Sequence, residues 1–107
     1  MRIPADATIA DDKLTAYLLV RRQWDDKSGY LLKAGFDAGN WQDLRAAIRR
    51  MAADTDAIED GGNEYGIFFR VDGLLAGPVG MLPVILIWMR RAADQRFHFV
   101  TLKPRKD

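Results

Sequence analysis

The stretch YGIFFRVDGLLAGPVGMLPVILIWMRR, residues 65–91, decides the fold of this chain. In residues 65–71 large apolar side chains recur at every second position, which is the period of a β-strand with two different faces. Residues 81–91 are apolar on both faces, as is typical of a central strand. Asp-Gly at 72–73 is a strong hairpin signal, and Gly-Pro-Val-Gly at 77–80 predicts a second turn, because glycine permits positive φ and proline fixes φ. The stretch therefore predicts antiparallel strands joined by tight turns.

The same pattern continues towards the end of the chain. Leu74 to Ala76 is interpreted as a brief strand between the two turns, and Ala92 to Gln95 as a third turn. Arg96 to Lys103 forms the last strand, which Pro104 stops because proline cannot donate a ladder hydrogen bond. For the same reason Pro83 is expected to confine pairing to the later part of its own strand. The second half thus predicts a meander of about four strands.

The first half has a helical period instead. The clearest helix is predicted from about Trp41 to Ala53, with Asn40 as its cap and Asp43 three residues later in a box-like arrangement. Its apolar stripe is interpreted as core packing and consists of Trp41, Leu44, Ile48 and Met51.

Two shorter helices precede it. Either aspartate at positions 11–12 is expected to cap the first, whose apolar residues are Leu14, Leu18 and Leu19 together with Tyr17. Either aspartate at positions 25–26 is expected to cap the second, Lys27 to Ala34. Gly35 follows it where a left-handed residue ends a helix.

Helices that precede a run of strands predict an α+β fold, with the N-terminal helices packed on a C-terminal antiparallel β-meander. The length of 107 residues fits one domain, so we expect a single domain over residues 1–107. Its helical part is residues 11–53 and its β-meander is residues 65–103.

Composition narrows the function classes. The chain has no Cys and one His, which excludes disulfides, a thiol nucleophile and multi-histidine metal sites, and we expect neither a metal nor a cofactor. The N-terminus has no apolar signal region, and the longest apolar run, Met81 to Met89, is too short for a membrane helix of about 20 residues. Cytoplasmic localisation without a membrane partner is the default expectation.

The formal net charge of +1 conceals a segregation of charge. Residues 54–72 carry six acids and one base, whereas residues 90–107 carry six bases and two acids. The simplest interpretation is a solvated loop and a solvated tail. The functional alternative is a local basic patch for phosphate groups, formed where Arg90, Arg91 and Arg96 flank one tight turn.

His98 is the obvious candidate acid or base, since its ordinary pKa is about 6.5. A metal-independent ribonuclease needs an acid, a base and cations, while the RNA supplies its own 2′-hydroxyl nucleophile. The candidate catalytic residues for such an activity are Lys27, Arg70, Arg90, His98 and Thr101. A structural histidine between Phe97 and Phe99 is the simpler interpretation.

The predicted register of the last two strands indicates whether His98 could be catalytic. A turn centred at residues 93–94 places Trp88 opposite Phe99 and Leu86 opposite Thr101. His98 then shares the other face with Ile85, Ile87 and Met89, which we expect the helices to cover. The face carrying Arg90, Phe97, Phe99 and Thr101 would be open. A slip of one residue reverses both expectations.

Short motifs follow one another in a fixed order along almost the whole chain, from about Ile3 to Pro104. In the first half the motifs are Ile3-Pro4-Ala5-Asp6-Ala7, residues 13–19, residues 26–32, Ala34-Gly35-Phe36 and Asn40-Trp41 with Leu44. In the second half they are Tyr65-Gly66, Val71, Gly73, Leu75, Gly77-Pro78, Gly80, Ile87-Trp88 and F-V-T-L-x-P at 99–104. No single motif is specific, but in this order they resemble an uncharacterised bacterial family, domain-of-unknown-function family 6883.

The resemblance implies no established activity. Members of the family look like short stand-alone proteins or terminal domains of toxin-like and phage-related chains. The order of helices and strands is also similar to that of barnase, colicin and RelE-type ribonucleases, which is analogy of fold alone. This sequence has Leu86, Val79 and His98 where the family pattern has Thr, Asn and Lys. We interpret those departures as evidence against catalysis.

Three functions follow as hypotheses. The first is a macromolecule-binding or self-associating domain without catalysis, with a homodimer formed through an uncovered aromatic-rich sheet face. The second is a metal-independent, RNase-like toxin domain that acts on RNA. The third is an immunity or antitoxin-like protein that binds a protein partner through the acidic residues 54–64.

Overall fold

In the computed structural model, which describes residues 1–24 and 26–105, helices in the first half precede a four-stranded antiparallel sheet, so the predicted α+β fold is confirmed. The helical elements are α1 (Asp11–Lys13, continued by a π-helical turn, Leu14–Leu18), α2 (Ser28–Leu32), a 3-10 turn (Ala38–Asn40) and α3 (Trp41–Asp54). The strands are β1 (Ile58–Asn63), β2 (Gly66–Gly77), β3 (Gly80–Arg91) and β4 (Phe97–Pro104), in the order β1-β2-β3-β4.

The four strands are not the four that the sequence predicts. The hairpin expected at residues 72–73 is wrong, because β2 runs unbroken through it and pairs with β3 along its whole length. Gly73 instead lets α3 approach, since a Cβ there would lie 3.2 Å from the Met51 Cε. The fourth strand is β1, formed by the polar segment expected to be a loop. The turn predicted at residues 77–80 is correct and joins β2 to β3.

The core lies between α3, α1 and one face of the sheet. Buried residues face each other across the strands, as Trp88 does with both Phe69 and Phe99. The apolar stripe of α3 packs on this face, and Leu44 and Ile48 are fully buried. The interpretation of that stripe as core packing is therefore confirmed.

A β-bulge shifts the register between β3 and β4. Trp88 pairs with Phe99, but Ile87 pairs with Thr101, so Val100 is the additional residue. Leu86 consequently faces Leu102, and the predicted pairing of Leu86 with Thr101 is wrong. Because side chains alternate between faces with a period of two, the extra residue moves Thr101 to the face that carries Ile87.

The predicted helix caps have different outcomes at α3 and at α2. Asn40 makes no capping bond to α3, because its side chain accepts from the Asp37 N–H and donates to the Gly35 carbonyl. Asp37 caps the 3-10 turn instead. At α2 the Asp26 carboxylate accepts from the Ser28 N–H and hydroxyl, while Asp25 lies outside the described residues.

Gly35 has φ of +93°, so its prediction as the left-handed residue after α2 is confirmed. The aspartates at 11–12 lie within the first turn of α1 rather than at its cap, and Asp11 forms an ion pair with Arg45 of α3. That ion pair ties the start of α1 to α3.

The free edge of β4 is protected by the N-terminal segment. The Thr8 N–H donates to the Phe97 carbonyl (2.9 Å), and the Phe99 N–H donates to the Thr8 carbonyl (2.8 Å). Covering an edge in this way removes a template for unwanted strand pairing. Among the described residues, no helix is long and apolar enough to span a membrane.

Candidate functional site

The face of the sheet opposite the core is the candidate site, and we call it the open face. The side chains of its three central rows are at least partly exposed, whereas the core side is buried at its centre and partly exposed only towards its ends, as at Arg90 and Phe97. It has three rows across β2, β3 and β4, which are Phe68–Met89–His98, Arg70–Ile87–Thr101 and Asp72–Ile85–Lys103. An apolar centre on β3 is thus flanked by polar and charged side chains.

The structure reverses the expected roles of the two faces. Trp88 and Phe99, placed on the open side by the sequence, are 1% and 3% exposed and belong to the core. Ile85, Ile87 and Met89, expected under the helices, are partly exposed. Both sides of β3 are apolar, so the sequence of that strand alone did not distinguish them.

His98 lies at the end of the first row and is mostly buried, with a side chain 17% exposed. Its Nε2 has no hydrogen-bond partner among the described residues and lies 3.9 Å from the Asp94 carboxylate. Burial, and then the positive charge of Arg91, lowers the pKa of His98 below its ordinary value, against the opposing effect of Asp94. At neutral pH the imidazole is therefore uncharged.

Lys27 and Thr101 come into direct contact although 74 residues separate them. Lys27 is 8% exposed, and its Nζ donates to the Thr101 Oγ1 (3.0 Å) and to the Tyr17 Oη (3.1 Å). The ammonium also lies 5.2 Å from the centre of the Tyr17 ring. This cluster joins the residue before α2, the end of α1 and the bulged part of β4.

The two candidate arginines lie on opposite faces. Arg70 is on the open face, and its Nε lies 3.6 Å from the Asp72 Oδ1, which has no hydrogen bond among the described residues. Arg90 is on the core side, where its guanidinium lies 5.8 Å from the centre of the Phe69 ring. The fold therefore gathers His98, Arg70, Thr101 and Lys27 on one side of the sheet and leaves Arg90 on the other.

Position 86, where the family pattern has Thr, does not face this site. Leu86 is fully buried on the core side, so its apolar character does not change the polarity of the open face. That departure therefore gives no evidence about catalysis at the open face. His98 does lie on the open face, in the row of Met89.

The acidic segment forms the exposed outer strand of the sheet. All six residues of β1 are exposed, and Glu59 and Asp60 lie beside a register shift. Charges and irregular pairing are common at sheet edges, where they oppose aggregation. Within the part of the chain that the structure describes, no group of three or more His, Cys, Asp or Glu side chains could hold a metal ion.

Two features of the site were not predicted. Tyr17 was assigned to the core but contacts Lys27, and nothing in its local pattern indicated that contact. Asp72 was assigned to a turn but lies on the open face beside Arg70. A period of two continued through residues 72–73 would have identified its position.

Comparison with known proteins yields one finding. A family model described as "Domain of unknown function (DUF6883)" matches residues 4–106. A search of the curated proteins found no match, and neither did a search of the solved structures.

Proposed function

The chain belongs to the DUF6883 family, a domain of unknown function that carries no assigned activity, and we propose from the geometry of the open face that it is a self-associating binding protein. The observation that carries this proposal is the partly exposed apolar line of Ile85, Ile87 and Met89 along the central strand. A contiguous apolar patch with a polar rim is typical of a protein-binding surface.

A second copy of the chain fits the charges of this face. A two-fold axis parallel to β3 places β2 of one protomer over β4 of its partner. Ile85 and Ile87 then meet their own copies near the axis. Asp72 of each protomer lies over Lys103 of the other, which forms two symmetric pairs of opposite charge. The Asp72 side chain is 32% exposed and Lys103 is exposed, so both are accessible to a second copy of the chain.

The contact is small, so the association is expected to be weak. Three strands spaced about 4.8 Å apart, each contributing about six residues of 3.3 Å, cover roughly 300 Å² in projection. A standard stable interface buries about 800 Å² on each partner. We therefore expect a concentration-dependent dimer with a dissociation constant of about 100 μM.

Sedimentation velocity over a range of concentrations tests the proposal. Ile87→Lys places a charge at the centre of the contact and should give a monomer throughout. Leu32→Lys is the matched control, because Leu32 is exposed on α2 away from the sheet face, and it should dimerise as the wild type does. A wild-type protein that remains monomeric at about 1 mM would overturn the proposal.

Charge reversal distinguishes this arrangement from other dimers. Asp72→Lys and Lys103→Asp should each weaken association, since each places like charges opposite one another. The double variant should restore it. If the double variant associates more weakly than both single variants, the proposed two-fold axis is wrong.

A metal-independent ribonuclease is the second candidate, because His98, Arg70, Thr101 and Lys27 lie on one side of the sheet. Uncharged His98 would act as the base, and Arg70 would contact the phosphate. The protein incubated with tRNA and total RNA in EDTA should then cleave them, and His98→Ala should abolish cleavage. Absence of cleavage, or cleavage that persists in His98→Ala, excludes this mechanism.

A further inference from the structure

A cleft of about 380 Å³ lies between the N-terminal segment and the second half of α3, remote from the open face. Residues 3–5 and 52–53 form its apolar walls, and Trp88 contributes to its lining from the core side of the sheet. Arg49 and Arg50 are the charged residues among those that line it. Its size falls within the range of clefts that bind small molecules, about 300–1,000 Å³.

Trp88, which contributes to the lining of this cleft, has an unused hydrogen-bond donor. The side chain is 1% exposed, and its ring is held edge-on against Phe99 with centroids 5.3 Å apart. Its Nε1 has no hydrogen-bond partner among the described residues. Buried N–H groups in folded proteins nearly always have an acceptor, so this donor indicates that a ligand or water supplies one.

The two arginines differ in what they already bind. Arg49 donates from Nη1 to the carbonyls of Ala5 (3.3 Å) and Ala7 (2.9 Å), which fixes one wall of the cleft. Arg50 is exposed and forms neither an ion pair nor a hydrogen bond within the described part of the chain. Its guanidinium is therefore free to bind an anionic group at the rim, where planar carboxylates suit its paired donors.

We propose that this cleft binds a small organic carboxylate with an aromatic or short aliphatic body. The body occupies the apolar walls, and the carboxylate lies between Arg50 and the Trp88 N–H. The ligand needs both the apolar body and the carboxylate. An uncharged apolar molecule would leave Arg50 without a partner, and a small inorganic anion would leave the walls wet. The proposal is independent of self-association, which uses the other face of the sheet.

Titration with sodium benzoate, followed by ¹H–¹⁵N NMR, tests the proposal. The chain has three tryptophans, and Trp24 and Trp41 lie outside the cleft, so their indole signals are internal controls. The Trp88 indole signal, identified by its loss in Trp88→Phe, should shift and saturate with a dissociation constant of about 1 mM. Benzyl alcohol, which has a similar body without the charge, should bind at least about threefold more weakly.

A pair of arginine variants separates binding from general charge effects. Arg50→Gln should weaken benzoate binding at least about threefold. Arg21→Gln, which removes an equal charge at an exposed position outside the cleft, should leave it unchanged. The proposal is overturned if the Trp88 signal does not move at about 20 mM benzoate, or if Arg50→Gln binds as the wild type does.

Discussion

Replacing Thr101 with Val tests the contact that closes the fold between its first and second halves. The change removes the acceptor 3.0 Å from the Lys27 Nζ and keeps a β-branched side chain of nearly the same shape in β4. Lys27 is 8% exposed, so water does not readily replace the lost acceptor. A hydrogen bond to a charged group contributes about 1.5–3 kcal/mol. We expect the free energy of unfolding to fall by about 2 kcal/mol.

Urea denaturation monitored by circular dichroism measures this loss. With an m-value of about 2 kcal/mol per molar, the midpoint should fall by about 1 M. Thr15→Val is the matched control, because the Thr15 hydroxyl bonds to the Asp11 carbonyl at an exposed position of α1. Its effect should stay below about 0.5 kcal/mol.

A double-mutant cycle with Lys27→Met isolates the pair. If the two side chains stabilise one another, the double variant should be more stable than the sum of the single changes predicts, with a coupling of about 1 kcal/mol or more. Additive effects, together with a Thr101→Val variant within about 0.5 kcal/mol of the wild type, would refute the reasoning. The contact would then be a consequence of the fold and not a contributor to its stability.

Three further predictions follow from the packing. Gly77→Ala should lower the free energy of unfolding, measured by thermal denaturation, by about 1–3 kcal/mol. The new Cβ would overlap the Ala34 carbonyl and lie 2.9 Å from the Phe36 ring. Gly29→Ala is the control and should not destabilise the protein, because the space around Gly29 is open. Tyr30→Phe should cost about 1 kcal/mol in the same assay, since the Tyr30 hydroxyl donates to the Pro83 carbonyl at 2.6 Å. Because the pKa of His98 is lowered on folding, the unfolded chain binds the proton more readily, so stability should fall as pH decreases below about 6.5. His98→Gln should remove that part of the slope, which cannot exceed about 1.4 kcal/mol per pH unit for one proton; an unchanged slope in urea titrations from pH 7 to 5 would contradict this.

Local sequence was sufficient where one physical signal dominated. The alternation in residues 65–71 and the apolar stripe of α3 each predicted an element that the structure contains. Gly35 was predicted from its place after α2, because only a residue without a Cβ adopts positive φ at low cost. These signals act over a few residues and need no knowledge of the rest of the chain.

Where two signals competed, the sequence misled. Residues 72–73 have hairpin chemistry, but β2 continues through them, since pairing with β3 and the approach of α3 to Gly73 outweigh the local turn preference. The polar segment that forms β1 has low strand propensity, and it pairs because β2 offers it a free edge.

The candidate site shows the same division. His98 and Arg70 were identified from residue type, but their common face depends on the register of β2 and β4 with β3, which a period of two along each strand does not give. Three other features also depend on the tertiary structure. They are the contact of Lys27 with Thr101, the location of Arg90 on the face opposite the other candidate residues, and the partial exposure of Ile87. None of them is encoded in a single segment, because each depends on residues far apart in the chain.

Local sequence patterns were enough to predict that helices precede an antiparallel sheet and that side chains alternate between two faces in residues 65–71. The covered face of β3 could not be predicted in this way, because both faces of the strand are apolar and the choice depends on how the helices pack against the sheet. The face of Thr101 was likewise not predictable from the strand alone, since the bulge at Val100 adds one residue and moves Thr101 to the open face.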